Sequence, residues 1–222
     1  LDIAAAKLAI NVALIMKAAM ANDLASTART IGADPEKVLA IVRLDPRIGS
    51  SFMHPGYPPV GPCLPRDLKV WGALADSPIV HGASISHEEN RAYLIRQLLK
   101  ETSQVLATDG PVAWVNDGHS FQVAILGATY KPGVPEATDT LGVALLEACV
   151  DQGWNTVLAD PTMDEIRRTI RDDLGFQLTA DYRKAVMEAR VVVITSSWPE
   201  FLCLPYKGKF VISTKENDLA GR

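Results

Sequence analysis

The stretch Phe121-Gln122-Val123-Ala124-Ile125-Leu126-Gly127 is a short apolar run closed by glycine, which is the pattern of a buried strand. Downstream of it the sequence predicts further strands at residues 156–160, 191–195 and 210–213, and helices at 141–152, 163–173 and 182–189. Apolar strands that alternate with helices are typical of a parallel sheet covered on both faces. The second half of the chain is therefore predicted to be an α/β domain.

Upstream of this domain the sequence is helical. Residues 3–31 are rich in Ala, Leu and Met and are followed by Gly32, so they predict one long helix. Asp34-Pro35 supplies an N-cap and a first helical residue for a second helix that ends near residue 42. A third helix is predicted at residues 65–75.

A fourth helix is predicted at residues 86–108, with Ser86 and Glu89 as a capping box. No strand pattern interrupts this part of the chain. We therefore expect two domains, an all-helical one followed by an α/β one, at residues 1–108 and 109–222.

The composition narrows the class of protein. The 222 residues carry a formal net charge of −4, which argues against nucleic acid as a partner. The three cysteines are odd in number and widely spread, so we expect no disulfide framework and no metal site, and a reduced, cytoplasmic setting.

Lys7, Asn11 and Lys17 interrupt the longest apolar stretch, so no transmembrane segment is expected. Leu1 opens inside helical sequence, which indicates a fragment of a longer chain.

Lys7 and Asn11 are four residues apart and therefore project from the same face of an otherwise apolar helix. Burying an amine or an amide without partners is costly, so other groups are expected to face them. The alternative is a lysine that reaches solvent and an asparagine bonded to a neighbouring loop. Lys17 lies on a different face and is expected to be solvated.

Residues 45–65 form a loop that holds six of the 14 prolines, and no regular element persists at that density. A loop of this length commonly carries function. Cys63 lies in it, just before the helix start that Pro65 favours, where the helix dipole and Arg66 would stabilise a thiolate. The alternative is a cysteine that acts as a small buried apolar residue, the reading kept for Cys149 and Cys203.

The turn after the first strand, Gly127 to Gly133, does not match the G-x-G-x-x-G dinucleotide pattern. It leads to a helix start whose amides can bind an anion, and Lys131 could neutralise a phosphate. Asp160 ends the second strand, where an acidic residue either meets a ribose or caps the next helix.

Several of these segments together match a known pattern. The first helix carries Lys7, Asn11 and Asn22-Asp23, and the loop ends in Val60-Gly61-Pro62-Cys63-Leu64-Pro65-Arg66-Asp67. The α/β part contains Leu126-Gly127-Ala128-Thr129-Tyr130-Lys131-Pro132, Ala159-Asp160-Pro161 and Thr195-Ser196-Ser197-Trp198-Pro199-Glu200-Phe201. In this order and at these separations the sequence resembles the UDP-glucose/GDP-mannose dehydrogenase family of nucleotide-sugar 6-dehydrogenases, over its central and C-terminal domains.

The resemblance implies a Rossmann-like sheet that binds a UDP- or GDP-sugar, and oxidation of the sugar C6 alcohol to a uronic acid with two NAD molecules. Cys63 would attack the intermediate aldehyde, and its sulfur would converge with the Lys7 amine on one carbon. Lys7 and Asn11 would stabilise the oxyanion. Asp67 would orient or deprotonate a water or the C6 hydroxyl.

The resemblance also implies four substrate-binding residues, namely Arg47 acting across a subunit interface, Phe52, Gly61 and Lys131. Helices 3–31 and 86–108 would form the core of a homodimer. The NAD-binding N-terminal domain of the family is absent from these residues, so the fragment alone is expected to be inactive.

Two departures leave alternatives open. Val60 and Pro62 replace a glycine and a serine of the family loop and stiffen it. A non-catalytic nucleotide-sugar-binding or dimerisation module is therefore the second hypothesis. A cysteine hydrolase or transferase using His54 is the third, and nothing in the sequence supplies the group that would orient that histidine.

Overall fold

A computed structural model describes residues 1–56, 58–74, 76–107, 120–170 and 175–214. The chain forms two compact units, Leu1–Leu94 and Ile95–Arg222. The predicted joint near residues 109–119 lies outside the described residues.

The first unit is built from helices, as the sequence predicts. They are α1 (Asp2–Thr30), α2 (Pro35–Val42), α3 (Leu64–Leu74) and α4 (Pro78–Ala107), whose end belongs to the second unit. The Asp34 side chain accepts hydrogen bonds from the amides of Glu36 and Lys37, which confirms the predicted cap of α2. Two apolar clusters hold the helices to α1, and they are centred on Val12, Ile15, Leu68 and Val80 and on Ala21, Ala25, Leu39 and Met53.

The start of α4 differs from the prediction. The helix begins at Pro78, eight residues before the predicted start, and the amide of His81 donates to the Ser77 carbonyl at 3.0 Å. Ser86 lies inside the helix, where its hydroxyl donates to the Ala19 carbonyl at 3.3 Å. The capping box is therefore wrong, because proline at the first helical position was the stronger start signal.

α1 is long and apolar enough to cross a membrane by length and composition alone. The expectation that no segment reaches that length is wrong by this criterion, because two lysines do not remove the apolar character of the stretch. The same helix supplies buried core positions such as Val12, Ile15 and Ala21, which is what the core helix of a folded domain does.

The second unit contains a five-stranded parallel sheet. Its strands are β1 (Phe121–Leu126), β2 (Thr156–Ala159), β3 (Gln177–Thr179), β4 (Ala189–Ile194) and β5 (Phe210–Ser213), in the spatial order β3-β2-β1-β4-β5. The central register pairs Ala124 with Val157 on one side and with Val192 on the other. The predicted α/β class and Rossmann-like sheet are confirmed.

The helices of this unit are α5 (Leu141–Asp151), α6 (Met163–Ile166) and α7 (Tyr182–Glu188). The predicted helix 163–173 is wrong after Ile166, where α6 ends and a 3₁₀ turn follows at Arg167–Thr169. Its last predicted residues, 171–173, lie outside the described residues. The sequence did not predict β3, which is three residues long.

The strand order reverses between β1 and β4, and in open parallel sheets ligands bind at the carboxyl ends of such strands. Two glycines let the chain approach closely here. A Cβ on Gly127, whose φ is +108°, would lie 2.4 Å from the Cβ of Ser196. A Cβ on Gly142, in the first turn of α5, would lie 2.0 Å from the Gly127 carbonyl oxygen.

Candidate active site

The buried carboxylate of Asp67 organises a polar cluster in the first unit. It lies in the first turn of α3 and is 1% exposed. One oxygen, Oδ2, accepts from Asn11 Nδ2 at 2.6 Å and from Lys7 Nζ at 3.4 Å. The other, Oδ1, accepts from Arg66 Nε at 2.8 Å. The groups expected to face Lys7 and Asn11 are therefore present, although the Lys7 side chain is still 61% exposed.

Helix packing explains this arrangement. Lys7 and Asn11 lie one turn apart on α1, and the next turn of that face carries the buried Ile15. Ile15 packs with Leu68, which directly follows Asp67 on α3. The apolar contact between the helices thus brings the carboxylate to the amine and the amide.

The cluster keeps Asp67 ionised. The hydrogen bond from Asn11, followed by that from Arg66, lowers the pKa of Asp67 below its ordinary value, against the opposing effect of burial. The same pairing raises the pKa of Arg66. The carboxylate is therefore an anion at neutral pH and a weak proton acceptor.

Asp67→Asn is expected to lower the free energy of unfolding at pH 7 by about 1.5–3 kcal/mol, the range for a hydrogen bond to a charged group. Because the folded pKa is lowered, the stabilisation is complete above the unfolded value of about 3.9 and is lost as the pH falls through the folded value. Urea unfolding at several pH values measures it. The difference in the free energy of unfolding between wild type and Asp67→Asn should shrink below about pH 4. Asp23→Asn, on the exposed side of α1, is the control. A gap that stays constant with pH would contradict the charged role.

Cys63 directly precedes α3. It is an exposed free cysteine, and its carbonyl accepts the Asp67 amide at 2.9 Å, one helical turn away. The backbone thus links it to the cluster that holds Lys7 and Asn11. Cys149 is buried, as expected, and burial raises the pKa of its thiol to about 12. Cys203 is exposed, which corrects the expectation that it is buried.

The three remaining candidates of the first unit lie on the loop. Arg47 is 88% exposed and pairs through Nε with Asp45 Oδ1 at 2.9 Å, which raises the pKa of Arg47. Phe52 has a φ of +60° and is partly exposed, next to the buried Met53. Gly61 is buried and has a φ of +92°, a conformation that favours glycine.

Two lysines and one arginine lie outside this cluster. Lys17 is not simply solvated, because its Nζ donates to the Ile48 carbonyl at 3.0 Å. Lys131 belongs to the second unit, is exposed, and lies 5.4 Å from the centre of the Tyr130 ring. Arg43 was not predicted, although it donates to the Met53 carbonyl at 3.2 Å and so ties down the loop.

Asp160, in the second unit, is fully buried, and its carboxylate is hydrogen-bonded to neighbouring groups of the same chain. Its Oδ2 accepts from the amides of Ala128 and Thr129, and its Oδ1 accepts from the amide and hydroxyl of Thr162. Of the two roles left open, the helix cap is wrong, because α6 begins at Met163 with no side-chain cap bond. The carboxylate is instead taken up by the turn after β1 and by Thr162. The turn after β1 therefore does not fit a dinucleotide held through this carboxylate. Within the described residues, no group of three or more His, Cys, Asp or Glu could hold a metal ion.

The fold and the cluster together define a class of protein. It is a Rossmann-like α/β chain with a helical unit that carries a Lys–Asn–Asp cluster beside a free cysteine. Two family models match it, the central domain of the UDP-glucose/GDP-mannose dehydrogenase family at residues 3–89 and the UDP binding domain of that family at residues 124–216. The chain belongs to the UDP-glucose/GDP-mannose dehydrogenase family.

Known relatives agree with this assignment. A UDP-glucose 6-dehydrogenase of Haloferax volcanii is 29% identical over 202 residues, covering 89% of this chain and 44% of the relative. A GDP-mannose 6-dehydrogenase of Azotobacter vinelandii is 25% identical, covering 83% and 42%. The structure of a UDP-glucose dehydrogenase from Pyrobaculum islandicum superposes with a TM-score of 0.72 at 25% identity, covering 95% and 46%. The chain thus spans less than half the length of these relatives.

Proposed function

We propose that this chain is the C-terminal part of a nucleotide-sugar 6-dehydrogenase, which oxidises the C6 alcohol of a UDP- or GDP-sugar to the uronic acid. The observation that carries the proposal is the Asp67 carboxylate, which binds Lys7 and Asn11 and lies one helical turn from the free Cys63. An amine and an amide bound to one carboxylate, with a thiol one helical turn away along the chain, are the groups that oxidation of an aldehyde through a covalent thioester requires.

In this proposal each residue has a distinct task. The Cys63 sulfur adds to the carbonyl carbon of the sugar aldehyde, and the carbonyl electron pair moves to oxygen, giving a thiohemiacetal. Lys7 and Asn11 stabilise that oxygen by charge and hydrogen bonding. The thiohemiacetal carbon would then lose a hydride to NAD, when NAD is bound, as it becomes a thioester. Water would then release the acid as a carboxylate and return the thiol.

Of the two roles open to Asp67, we assign orientation rather than proton abstraction. Its carboxylate already accepts from Asn11, Lys7 and Arg66, and its pKa is lowered, so it takes up a proton poorly. A carboxylate bonded in this way fixes the amine and the amide in place. Asp67 is therefore a positioning residue in this mechanism.

We infer that the cofactor is NAD, which accepts hydride when bound. Asp160, which directly follows β2, is committed to Ala128, Thr129 and Thr162, so its carboxylate is not available to an NAD ribose. NAD would accordingly be held mainly by residues outside this chain.

A homodimer through the central helices is part of the proposal. The side chains of Ile3, Ile10, Met20 and Leu24 are exposed and lie within about 100° of one another around α1. An apolar stripe of this kind suits a second copy of the chain. The exposed Arg47 is free to reach the partner's bound sugar once it leaves Asp45. We further propose a cytoplasmic location, where thiols remain reduced.

Thiol labelling of the full-length protein tests the site. Iodoacetamide is expected to modify Cys63 at least tenfold faster than Cys149, because Cys63 is exposed and Cys149 is buried. The exposed Cys203 is the matched control for accessibility. A UDP- or GDP-sugar should slow the labelling of Cys63 and leave that of Cys203 unchanged, as peptide mass spectrometry would show.

The outcome separates the proposal from its alternative. Protection of Cys63 together with NAD-dependent uronate formation supports the dehydrogenase. Protection without turnover of any nucleotide sugar supports the non-catalytic binding module. Equal labelling of Cys63 and Cys203, with no effect of nucleotide sugars on either, would contradict both.

A further inference from the structure

Two asparagines hold the loop between α2 and α3 at a single residue, Gly56. The Gly56 amide donates to Asn22 Oδ1 at 2.9 Å, and the Gly56 carbonyl accepts from Asn90 Nδ2 at 2.6 Å. Asn22 is 4% exposed and lies on α1, whereas Asn90 lies on α4. The amide and the carbonyl of Gly56 are thus each bonded to a side chain from a different helix. We call these three residues the Gly56 clamp.

The chemistry of the clamp determines which atom each asparagine uses. A backbone amide only donates, so Asn22 must present its oxygen to Gly56. A backbone carbonyl only accepts, so Asn90 must present its nitrogen. The φ of Gly56 is +149°, a conformation that side chains rarely adopt, so the backbone at the clamp is suited to glycine.

Among the described residues, the clamp is the last hydrogen-bonded anchor of the loop before Cys63. Upstream, the buried Met53 and the bond from Arg43 to its carbonyl already fix the chain. Between the clamp and α3, residues 58–62 make no hydrogen bond within the described part of the chain, and Pro58, Pro59 and Pro62 stiffen them instead. A stiff segment transmits the position of its fixed end, so the clamp, together with the buried Pro58 and Gly61, sets where Cys63 lies.

α1 carries one residue of the clamp, Asn22, together with the groups that would act with Cys63. Lys7, Asn11 and Asn22 lie on nearly one side of α1, with Asn11 and Asn22 about 16 Å apart along the axis. α1 therefore connects the amine and the amide rigidly to the anchor of the loop that bears the sulfur.

We propose that Asn22 and Asn90 are positioning residues, which hold the Cys63 sulfur in register with Lys7 and Asn11 through Gly56. This inference rests on the proposed dehydrogenase function. Neither asparagine needs to touch the substrate for this role. Their effect on the reaction passes through the backbone of the loop.

Substituting aspartate at each position in the full-length protein gives a sharp test, because the two clamp bonds run in opposite directions. Asn90→Asp loses the one donor that the described residues supply to the Gly56 carbonyl, and it sets a carboxylate against that oxygen. Asn22→Asp keeps an oxygen that accepts the Gly56 amide. Gln97→Glu, two turns farther along α4, makes the same amide-to-acid change away from the clamp and is the control.

The expected result is asymmetric. The kcat for uronate formation should fall about ten- to hundredfold in Asn90→Asp, the scale of a misplacement near 1 Å, with the KM for NAD within about twofold of wild type. Asn22→Asp should retain kcat within about threefold of wild type, because its carboxylate oxygen still accepts the Gly56 amide. Equal losses in both variants, or a lower melting temperature of Asn90→Asp with unchanged kcat, would overturn the proposal.

A second readout separates this inference from the proposed function. The rate at which iodoacetamide alkylates Cys63 does not require turnover, and it should change at least about threefold in Asn90→Asp and not in Asn22→Asp. Wild-type protein that oxidises no nucleotide sugar would defeat the proposed function, and the alkylation rates would then decide the clamp alone. Identical rates in both variants would overturn it.

Discussion

Uronate formation by the full-length protein is expected to fall by on the order of 10³-fold or more in Cys63→Ser, which corresponds to about 4 kcal/mol in the barrier. Serine keeps the shape of the side chain and removes the nucleophilic sulfur. The first oxidation, from alcohol to aldehyde, does not use the sulfur in our proposal. The variant should therefore still form the aldehyde, which hydroxylamine can trap, and should stop there.

The control for this experiment is Cys203→Ser. Cys203 is also an exposed free cysteine but lies in the second unit, outside the cluster, so both oxidations should proceed at the wild-type rate. Mass spectrometry of the trapped aldehyde and of the uronate measures both steps separately. Uronate produced by Cys63→Ser at the wild-type rate would remove the covalent role of the cysteine.

Much of the fold could be predicted from local pattern. The four predicted strands β1, β2, β4 and β5 are apolar runs bounded by turn residues. α1 is rich in helix formers and is followed by Gly32, and α2 has an aspartate cap. β3 was missed because three residues give no periodicity to detect. It exists because the edge of β2 offers hydrogen-bonding partners along Val157 to Ala159, which is information from the tertiary structure.

The candidate site, too, could be predicted only where a feature is local in the sequence. The spacing of Lys7 and Asn11 correctly indicated a facing group, because a shared helix face is a local property. The double use of the Asp67 carboxylate, with Arg66 on one oxygen and the α1 side chains on the other, depends on how α3 packs against α1. Asn90 carried no signal at all, because its partner Gly56 lies 34 residues away.

The β1–α5 junction of the second unit gives the other large expected effect. Gly142→Ala should destabilise this unit by roughly 3 kcal/mol, the upper end of the range for overpacking, and lower its melting temperature by about 10 °C. The added methyl would lie 2.0 Å from the Gly127 carbonyl oxygen. That oxygen cannot easily retreat, because it accepts the Thr195 hydroxyl at 2.6 Å. The clash therefore has to displace the start of α5 or the end of β4.

Whether Gly142→Ala raises or lowers the free energy of unfolding shows whether the steric clash or the helix propensity dominates. Alanine is the better helix former by up to about 1 kcal/mol, so propensity alone would make Gly142→Ala stabilising. Gly82→Ala in α4 measures the effect of helix propensity alone, because nothing lies within 4 Å of the added Cβ. This control variant should be neutral or slightly stabilising. Hydrogen exchange at β1 and β4 assigns the loss to the second unit. A stabilised Gly142→Ala would mean that the turn after β1 does not pack against the first turn of α5, and the crevice at the β1–β4 reversal would then have a different shape.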